Sequence, residues 1–326
     1  MSKVKLIYST STHPCFCQGI IKALCEPYFD IEVYDPAVRY SPKNTVILQT
    51  HVGVLQANPW HTHLEEQGFS VIVDHLWDSD VDTPSQVIDN ALILRNGNWL
   101  WYRESLHYQS LGYNQYQPQP NYQYSFFMPI NKARPHKDLV IERLHSVLHR
   151  ALYSYAERGR YLPDDFDYAQ QGYWLYYFNS AWYNTTCFSV VVESWMRSDT
   201  WFRNPSLPNY KTEISEKSFK PMAYSHPFII FGSVDTLKYL KSQGFETYDN
   251  LWNESYDSIA NDDERHRTVA NTVIDAVNEY PHNQWTVDSL TQKKLTHNRN
   301  RFFDTELVKK RFTDEIIMDV MNYINQ

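Results

Sequence analysis

The segment Thr212–Ser233 has the sequence TEISEKSFKPMAYSHPFIIFGS, in which a polar run is followed by an apolar run. The polar run around Ser215 predicts the start of a helix, and the apolar run from Pro227 predicts a buried strand. A second buried strand is predicted upstream, at Cys187–Ser194 (CFSVVVES). Buried strands that alternate with helices are typical of a parallel sheet, so we expect an α/β domain in this part of the chain.

Further elements of the same kind lie on both sides of this segment. Upstream, a strand is predicted at Tyr124–Ile130, and a helix is predicted to begin at Pro135 and to end at Gly159. Downstream, a helix over Val234–Gln243 is expected to end at Gly244, because glycine readily adopts the positive φ of a helix C-terminus.

The first hundred residues repeat this alternation with short apolar runs that end in polar residues. Four strands are predicted there, at Val4–Ser9, Ile31–Asp35, Thr45–Thr50 and Ser70–His75. The spacers between these runs are long enough for crossover connections, which indicates a second parallel sheet. The run Ala91–Tyr102 (ALILRNGNWLWY) is interpreted as a hairpin, because Asn-Gly is a frequent pair in two-residue hairpin turns.

The two sheets imply two domains. The stretch Ser105–Tyr124 is rich in Tyr, Gln and Pro, and we interpret it as a linker or a long surface loop. We therefore expect two Rossmann-like α/β domains that face a cleft. The predicted boundaries are residues 1–121 for the N-terminal domain with its linker, 122–280 for the second domain, and 281–326 for a basic segment with a terminal helix. A cleft between domains is a frequent place for a ligand.

Glycine is scarce, with 9 residues in 326, where about 7% is usual. The chain contains neither GxGxxG nor GxxxxGK[ST], so neither the Rossmann dinucleotide motif nor a P-loop is present. Any phosphate group must therefore be bound by helix N-termini and basic side chains.

Charge and cysteine content exclude other classes. The net charge of −8, from 30 Lys+Arg and 38 Asp+Glu, argues against a protein that binds nucleic acid over its whole surface. The four cysteines, Cys15, Cys17, Cys25 and Cys187, form no CxxC pair, which argues against a structural zinc site or a disulfide framework. No apolar run approaches the roughly 18 residues of a membrane span, and MSKVKLIYST lacks the apolar region of a signal peptide. We expect a cytoplasmic protein.

Glu216 and Lys217 follow Ser215 at the predicted helix start. A carboxylate and an ammonium group suit a nucleoside diphosphate there, because the carboxylate can accept hydrogen bonds from ribose hydroxyls. Lys217 and the free N–H groups of the helix can meet the phosphate charge. The alternative is a capping box with a surface ion pair.

The Ser-Glu-Lys string, followed by a helix and the PFIIFG strand, resembles the donor-binding motif of α-1,3-fucosyltransferases and related viral, phage-type glycosyltransferase-like proteins. Those families have an upstream strand that ends in glutamate and then asparagine or serine, and Phe188–Ser194 matches it here. The resemblance covers roughly Tyr124–Asp257. The long insert between Glu193 and Glu216 departs from the family pattern.

This resemblance implies a two-domain GT-B glycosyltransferase with the donor on the C-terminal half and the acceptor on the N-terminal half. Glu216 would bind the ribose and Lys217 the diphosphate, with Ser215 and Glu193 completing the donor site. The nucleotide sugar would be a co-substrate, and no metal or other cofactor is implied. The acceptor hydroxyl would belong to a glycan or, if the protein is viral and acts in the host cytoplasm, to a hydroxymethylated base in viral DNA.

A second basic group lies at Asn131–Lys137 (NKARPHK), between a predicted strand and a helix N-terminus. Cations placed there can stabilise the charge that develops on a departing nucleoside diphosphate. Arg134 is the first candidate for this role and Lys137 the second, and the alternative is a solvated helix start.

A glycosyltransferase also needs a base that deprotonates the acceptor hydroxyl. Asp74 and His75 are the best candidates, because they end a predicted strand of the first sheet, where ligands bind in α/β proteins. His13 and His51 follow other strands of that sheet.

Two alternatives remain open. Asp78 and Asp80 have the DxD spacing of metal-dependent GT-A transferases, and His61 and His63 form a weaker candidate metal pair. The other alternative is a non-catalytic protein that binds nucleic acid or glycans. Its support is a basic cluster with interleaved phenylalanines, for which a solvated helix face is the competing interpretation. The cluster comprises Lys293, Lys294, Arg299, Arg301, Lys309, Lys310 and Arg311.

Overall fold

The structure is a computed structural model. It describes residues 4–9, 24–33, 37–39, 41, 45–50, 69–74, 86–88, 91–94, 98–162, 179–193 and 214–326. The chain divides into two compact units: the first comprises Met1–His107 and Asp304–Gln326, and the second comprises Tyr108–Phe303. No helix in the described ranges has both the length and the apolar character that crossing a bilayer requires.

The first unit contains a six-stranded sheet. Its strands are β1 (Lys5–Ser9), β2 (Asp30–Val33), β3 (Thr45–Thr50), β4 (Ser70–Asp74), β5 (Gln86–Ile88) and β6 (Ala91–Leu94). Their order is β2-β1-β3-β4-β6-β5, and every neighbouring pair is parallel except β5 with β6. The four predicted strands are confirmed as β1 to β4, with small differences at their ends.

The predicted hairpin at Ala91–Tyr102 is wrong. Only its first part is a strand, and residues Trp99–Ser110 form helix α1. The hairpin lies one segment earlier, where β5 pairs with β6 in antiparallel orientation. The helix escaped prediction because Trp101 and Tyr102 are both fully buried, so its sequence lacks the polar face that gives a helix its period. The first residues of the predicted linker also belong to α1.

The end of the chain returns to the first unit. It forms helix α8 (Thr305–Phe312), a π-helical turn (Thr313–Ile317) and helix α9 (Met318–Ile324). The carboxylate of Glu315 in the π-turn accepts a hydrogen bond of 2.5 Å from the Tyr102 hydroxyl, which ties this segment to α1. The predicted separate segment 281–326 is thus divided, because helix α7 (Ser289–Phe302) belongs to the second unit.

The second unit contains a four-stranded parallel sheet. Its strands are β7 (Tyr124–Ile130), β8 (Ala151–Tyr155), β9 (Thr186–Val192) and β10 (Phe228–Phe231), in the order β10-β9-β7-β8. Its remaining helices are α2 (Pro135–Leu144), α3 (Ser180–Asn184), α4 (Glu216–Ala223), α5 (Thr236–Ser242) and α6 (Asp262–Glu279). The predicted α/β alternation is confirmed, and Gly244 has the predicted positive φ, 79°.

One helix of this unit is shorter than predicted. Helix α2 ends at Leu144, and residues assigned to its continuation form β8 instead. The error has a simple cause: Leu144, Leu148 and Leu152 are all buried at helical spacing, although they lie on three different elements.

The strand order determines where a ligand fits on this sheet. From β7 the chain proceeds to β8 on one side and later to β9 on the other, so the sheet has its topological switch point between β7 and β9. Ligands of open α/β sheets bind in the crevice at the carboxyl ends of the two strands that flank this point.

Candidate functional site

The N-terminus of α4 lies next to the end of β9. Ser215 is the N-cap residue, and its hydroxyl accepts a hydrogen bond of 3.3 Å from the amide of Lys217. Glu216 and Lys217 are therefore the first two residues of the helix, as predicted. The third is Ser218, where a capping box would require glutamate or glutamine.

Glu193 follows β9 directly and is fully buried. Its Oε1 atom accepts hydrogen bonds from the Ser215 amide at 3.0 Å and from the Ser218 hydroxyl at 2.6 Å. Its Oε2 atom accepts a hydrogen bond from the Ser215 hydroxyl. A buried carboxylate requires such donors, and the first turn of α4 supplies all three.

Lys217 and Glu216 form a partly buried ion pair. The Lys217 ammonium lies 3.0 Å from Glu216 Oε1, 3.0 Å from the Ser215 hydroxyl and 4.0 Å from Glu193 Oε2. Glu216 is only 4% exposed. The alternative interpretation of this motif required a surface ion pair, and the burial of Glu216 argues against it.

The second basic group lies at the carboxyl end of β7. Arg134 is the N-cap residue of α2, with Pro135 in the first position of the helix, and Lys137 in its first turn is 3% exposed. Burial, together with the positive charges of Lys217 and Arg134, lowers the pKa of Lys137 to about 7.

Glu193 and Glu216 act in the opposite direction on the pKa of Lys137, so all five charged groups belong to one electrostatic cluster. We call the five residues Arg134, Lys137, Glu193, Glu216 and Lys217 the charged cluster. Its members follow β7 and β9 or begin α4, which places them at the switch point of the sheet.

The charged cluster contains more positive than negative groups. Three cations face two carboxylates, and Glu193 is already enclosed by hydrogen bonds. Two helices, α2 and α4, also begin there, and a helix N-terminus carries partial positive charge. Such an arrangement is suited to a ligand with several negative charges, and Glu216 adds an acceptor for hydroxyl groups.

Other charges of the second basic group are directed elsewhere. Lys132 forms an exposed ion pair of 2.8 Å with Glu157, whose carboxylate also accepts from the amide of Ala133. The carboxylate of Asp138 accepts from the Tyr155 hydroxyl and from Arg158. Within this stretch, Arg134 and Lys137 are thus the cations that the structure brings to the cluster.

The predicted catalytic residues are only partly described. Asp74 is the last residue of β4, where the sequence places it, but the structure describes its backbone alone. His75, His13, His51, the pair Asp78 and Asp80, and the pair His61 and His63 lie outside the described residues. Among the residues that are described, no group of three or more His, Cys, Asp or Glu side chains is arranged to hold a metal ion.

Cations of the predicted basic cluster have partners within the protein. Arg299 donates to the backbone carbonyls of Ala223, Tyr113, Asn114 and Tyr116, and Arg301 donates to that of Gln243. Lys294 contacts Asp249, while Lys309, Lys310 and Arg311 pair with Glu306, Asp314 and Glu315. Phe302 and Phe312 are core residues. These contacts favour the structural interpretation of the cluster over a nucleic-acid interface.

Sequence reasoning missed Ser218. It is fully buried and its hydroxyl donates to Glu193. Its position three residues after the N-cap serine was a usable signal, because residues three apart lie on the same face of a helix.

No protein-family model matches the chain, and no curated protein matches it. Among solved structures, the chain is similar to the crystal structure of an α1,3-fucosyltransferase with GDP-fucose. The TM-score is 0.42 and the sequence identity 10%, over 93% of this chain and 91% of that one. This likeness is too low to assign the chain to that family.

Proposed function

We propose that the chain is a glycosyltransferase of the two-domain GT-B type that binds a nucleotide sugar at the carboxyl ends of β7 and β9. The observation that carries this proposal is the charged cluster at the switch point of the second sheet. The resemblance of the Ser215–Lys217 string to the fucosyltransferase donor motif supports the same assignment.

A diphosphate fits the charge of this site. Lys137 is buried beside two other cations, and in the ligand-free protein these neighbours oppose its protonation. A diphosphate would supply the missing negative charge and would accept hydrogen bonds from Lys217 and Arg134, and it would lie near the partial positive charges at the starts of α2 and α4. Basic side chains and helix ends can hold the group in this way without a metal ion.

Glu216 would select the nucleoside part of the donor. Its Oε1 atom accepts a hydrogen bond from the ammonium of Lys217 in the ligand-free protein. Once the phosphates bind Lys217, ribose hydroxyls would donate hydrogen bonds to the Glu216 carboxylate instead. During transfer, the bond between the sugar and the diphosphate breaks, and negative charge develops on the leaving group. Lys217 and Arg134 would stabilise that charge, which is a frequent source of rate enhancement.

The acceptor hydroxyl would lose its proton to Asp74 or His75, at the end of β4. We assign the acceptor to the glycans, because the contacts of the basic cluster within the protein leave the DNA alternative with less support. An assay with hydroxymethylated DNA beside oligosaccharides decides between the two. Glucose or another sugar appearing on the DNA would restore the viral DNA-modification hypothesis.

Thermal unfolding with nucleotides tests the proposal. GDP, UDP or CDP should raise the melting temperature, and Lys217→Ala should abolish the rise. Lys238→Ala is a matched control, because Lys238 is an exposed lysine on α5 that pairs with Asp235. The proposal is wrong if no nucleoside diphosphate stabilises the protein.

Turnover separates the remaining alternatives. A nucleotide sugar that binds but is neither transferred nor hydrolysed would favour the non-catalytic protein. Activity that disappears in chelator and returns with manganese would favour the metal-dependent enzyme with Asp78 and Asp80. The proposed function requires turnover that persists in chelator.

A further inference from the structure

We propose that Glu193 is a positioning residue and not a donor ligand: with Ser215 and Ser218 it fixes the start of α4, and through the Ser215 hydroxyl it holds the Lys217 ammonium in place before any donor binds. This inference rests on the proposed function of the same site. It assigns to Glu193 and Ser218 a role that the donor motif does not specify.

The first step of the argument is the enclosure of Glu193. Both of its carboxylate oxygens accept hydrogen bonds from the first turn of α4, and the side chain is fully buried. Because the side chain has no exposed surface, a ligand could contact this carboxylate only if the first turn of α4 moved away from it. Ser218, which donates one of them, is fully buried as well, so it too is out of reach of a ligand.

The second step is the orientation of the Ser215 hydroxyl. A hydroxyl has one proton to donate, and an ionised carboxylate has none. The Ser215 hydroxyl therefore donates to Glu193 and turns its lone pairs towards the Lys217 ammonium at 3.0 Å and the Lys217 amide at 3.3 Å. Glu193 thus sets the direction of the hydroxyl, and the hydroxyl sets the position of the ammonium.

The third step concerns charge. Glu193 Oε2 lies 4.0 Å from the Lys217 ammonium, and the carboxylate also favours the charged form of Lys137. Burying a lone carboxylate costs stability unless donors compensate for it. Glu193 therefore favours the cationic form of Lys137 and helps to hold the Lys217 ammonium in place, which is the preorganisation that binding an anion requires.

The bonds of Glu193 also join distant parts of the chain. Glu193 and Ser215 are 22 positions apart, and Glu193 and Ser218 are 25 apart. Removing these bonds should loosen the first turn of α4 relative to the end of β9. Such loosening is measurable without any ligand, because the amide of Ser215 donates directly to Glu193.

The test uses Glu193→Gln and Ser218→Ala in the full chain. Calorimetry measures GDP affinity, and hydrogen exchange measures protection of the Ser215 and Lys217 amides in the ligand-free protein. Both variants should lower GDP affinity about tenfold, as expected for a lost buried hydrogen bond to a charged group. Both should exchange these two amides faster. The double variant should bind GDP no more weakly than Glu193→Gln alone, because the residues act as one network.

Two controls accompany these variants. Ser242→Ala removes an exposed serine hydroxyl at the end of α5 and should change neither readout. Ser215→Thr keeps a hydroxyl between Glu193 and Lys217. It should therefore retain most of the GDP affinity that Ser215→Ala loses. Rescue by threonine would show that the loss in Ser215→Ala comes from the missing hydroxyl and not from general damage to the fold.

Defined outcomes overturn the inference. If Ser218→Ala changes nothing while Glu193→Gln weakens GDP binding, Glu193 contacts the ligand directly. If amide protection is unchanged in both variants, Glu193 does not position α4. If the wild-type protein binds no nucleoside diphosphate, the proposed function fails, whereas amide exchange still reports separately on the positioning of α4.

Discussion

The ammonium of Lys217 lies 3.0 Å from the carboxylate of Glu216, its neighbour in the sequence. Adjacent residues of a helix do not normally face each other, so this pair forms only because the two side chains bend towards one another at the helix start. Glu216 is almost fully buried, and the Lys217 side chain is 18% exposed. A ligand that binds both residues must separate this ion pair. It must then offer an anionic group to Lys217 and a hydrogen-bond donor to Glu216.

Glu216→Gln should therefore change the selectivity of the site and not only its affinity. We expect about tenfold weaker binding of GDP, because an ionised acceptor for the ribose hydroxyls is lost. Inorganic pyrophosphate has no ribose, and its affinity should stay the same or increase, since Lys217 loses a competing anion. Calorimetry with both ligands measures the difference. A parallel loss of affinity for both would contradict the assignment of Glu216 to the ribose.

GDP affinity should fall as the pH rises through about 7. Burial lowers the pKa of Lys137 to about 7, so its ammonium is present below this pH and is lost above it. Only the cationic form attracts a diphosphate, and binding at neutral pH should therefore take up a proton. Calorimetry at pH 6 to 8.5, in buffers of different ionisation enthalpy, measures that uptake.

Lys137→Arg is the control for this pH dependence. Arginine stays charged throughout the range. The variant should therefore retain its GDP affinity above pH 7, and it should take up fewer protons when GDP binds. Titration of the phosphates of GDP is the same in both proteins and cancels in the comparison. Equal pH profiles for the two proteins would show that Lys137 does not titrate with the ligand.

Replacing Lys137 by methionine should stabilise the ligand-free protein while weakening GDP binding. The folded state lowers the pKa of Lys137 from 10.5 to about 7, so folding opposes its protonation and the lysine destabilises the fold. This penalty is complete below pH 7 and diminishes as the pH rises towards 10.5. The gain for Lys137→Met should be on the order of 2 to 4 kcal/mol at pH 7 and smaller at pH 9. Denaturant unfolding at both values measures it.

Strands β7, β9 and β10 of the second unit were predictable because continuous apolar runs of strand length are a strong local signal. Predictions failed where buried residues did not show the spacing that distinguishes a helix from a strand. Helix α1 has buried Trp101 and Tyr102 on successive positions, and β8 continues a leucine spacing that began in α2. In both places the sequence pattern is compatible with either element, and tertiary packing decides between them.

The candidate site shows the same division between local and long-range information. The helix start at Ser215 follows from its capping preference, which is a local property. The contact between Glu193 and Ser218 joins positions 25 apart, and the burial of Lys137 depends on the elements packed around it. Sequence alone could therefore name candidates for the charged cluster, but it could not reveal how those residues pair.

Arg299→Ala should destabilise the second unit. The guanidinium of Arg299 donates to the carbonyls of Tyr113 and Tyr116 and to that of Ala223 at the end of α4. Its removal breaks all of these hydrogen bonds from a charged donor, and we expect a loss of about 2 to 4 kcal/mol in the free energy of unfolding. Lys293→Ala removes an exposed cation of the same helix and should change stability by less than about 0.5 kcal/mol. Similar effects of the two substitutions would contradict the structural role of Arg299.

Asp74→Asn should separate donor binding from sugar transfer. Asp74 ends β4 of the first unit, whereas the charged cluster lies on the sheet of the second unit. If Asp74 deprotonates the acceptor hydroxyl, asparagine cannot take the proton, and the rate of transfer should fall by a factor of about 10² to 10⁴. GDP affinity should remain within about twofold of wild type. His75→Ala, assayed in parallel, tests the second candidate: if it removes transfer while Asp74→Asn does not, the base is the histidine. Transfer that survives both substitutions would require a base elsewhere in the chain.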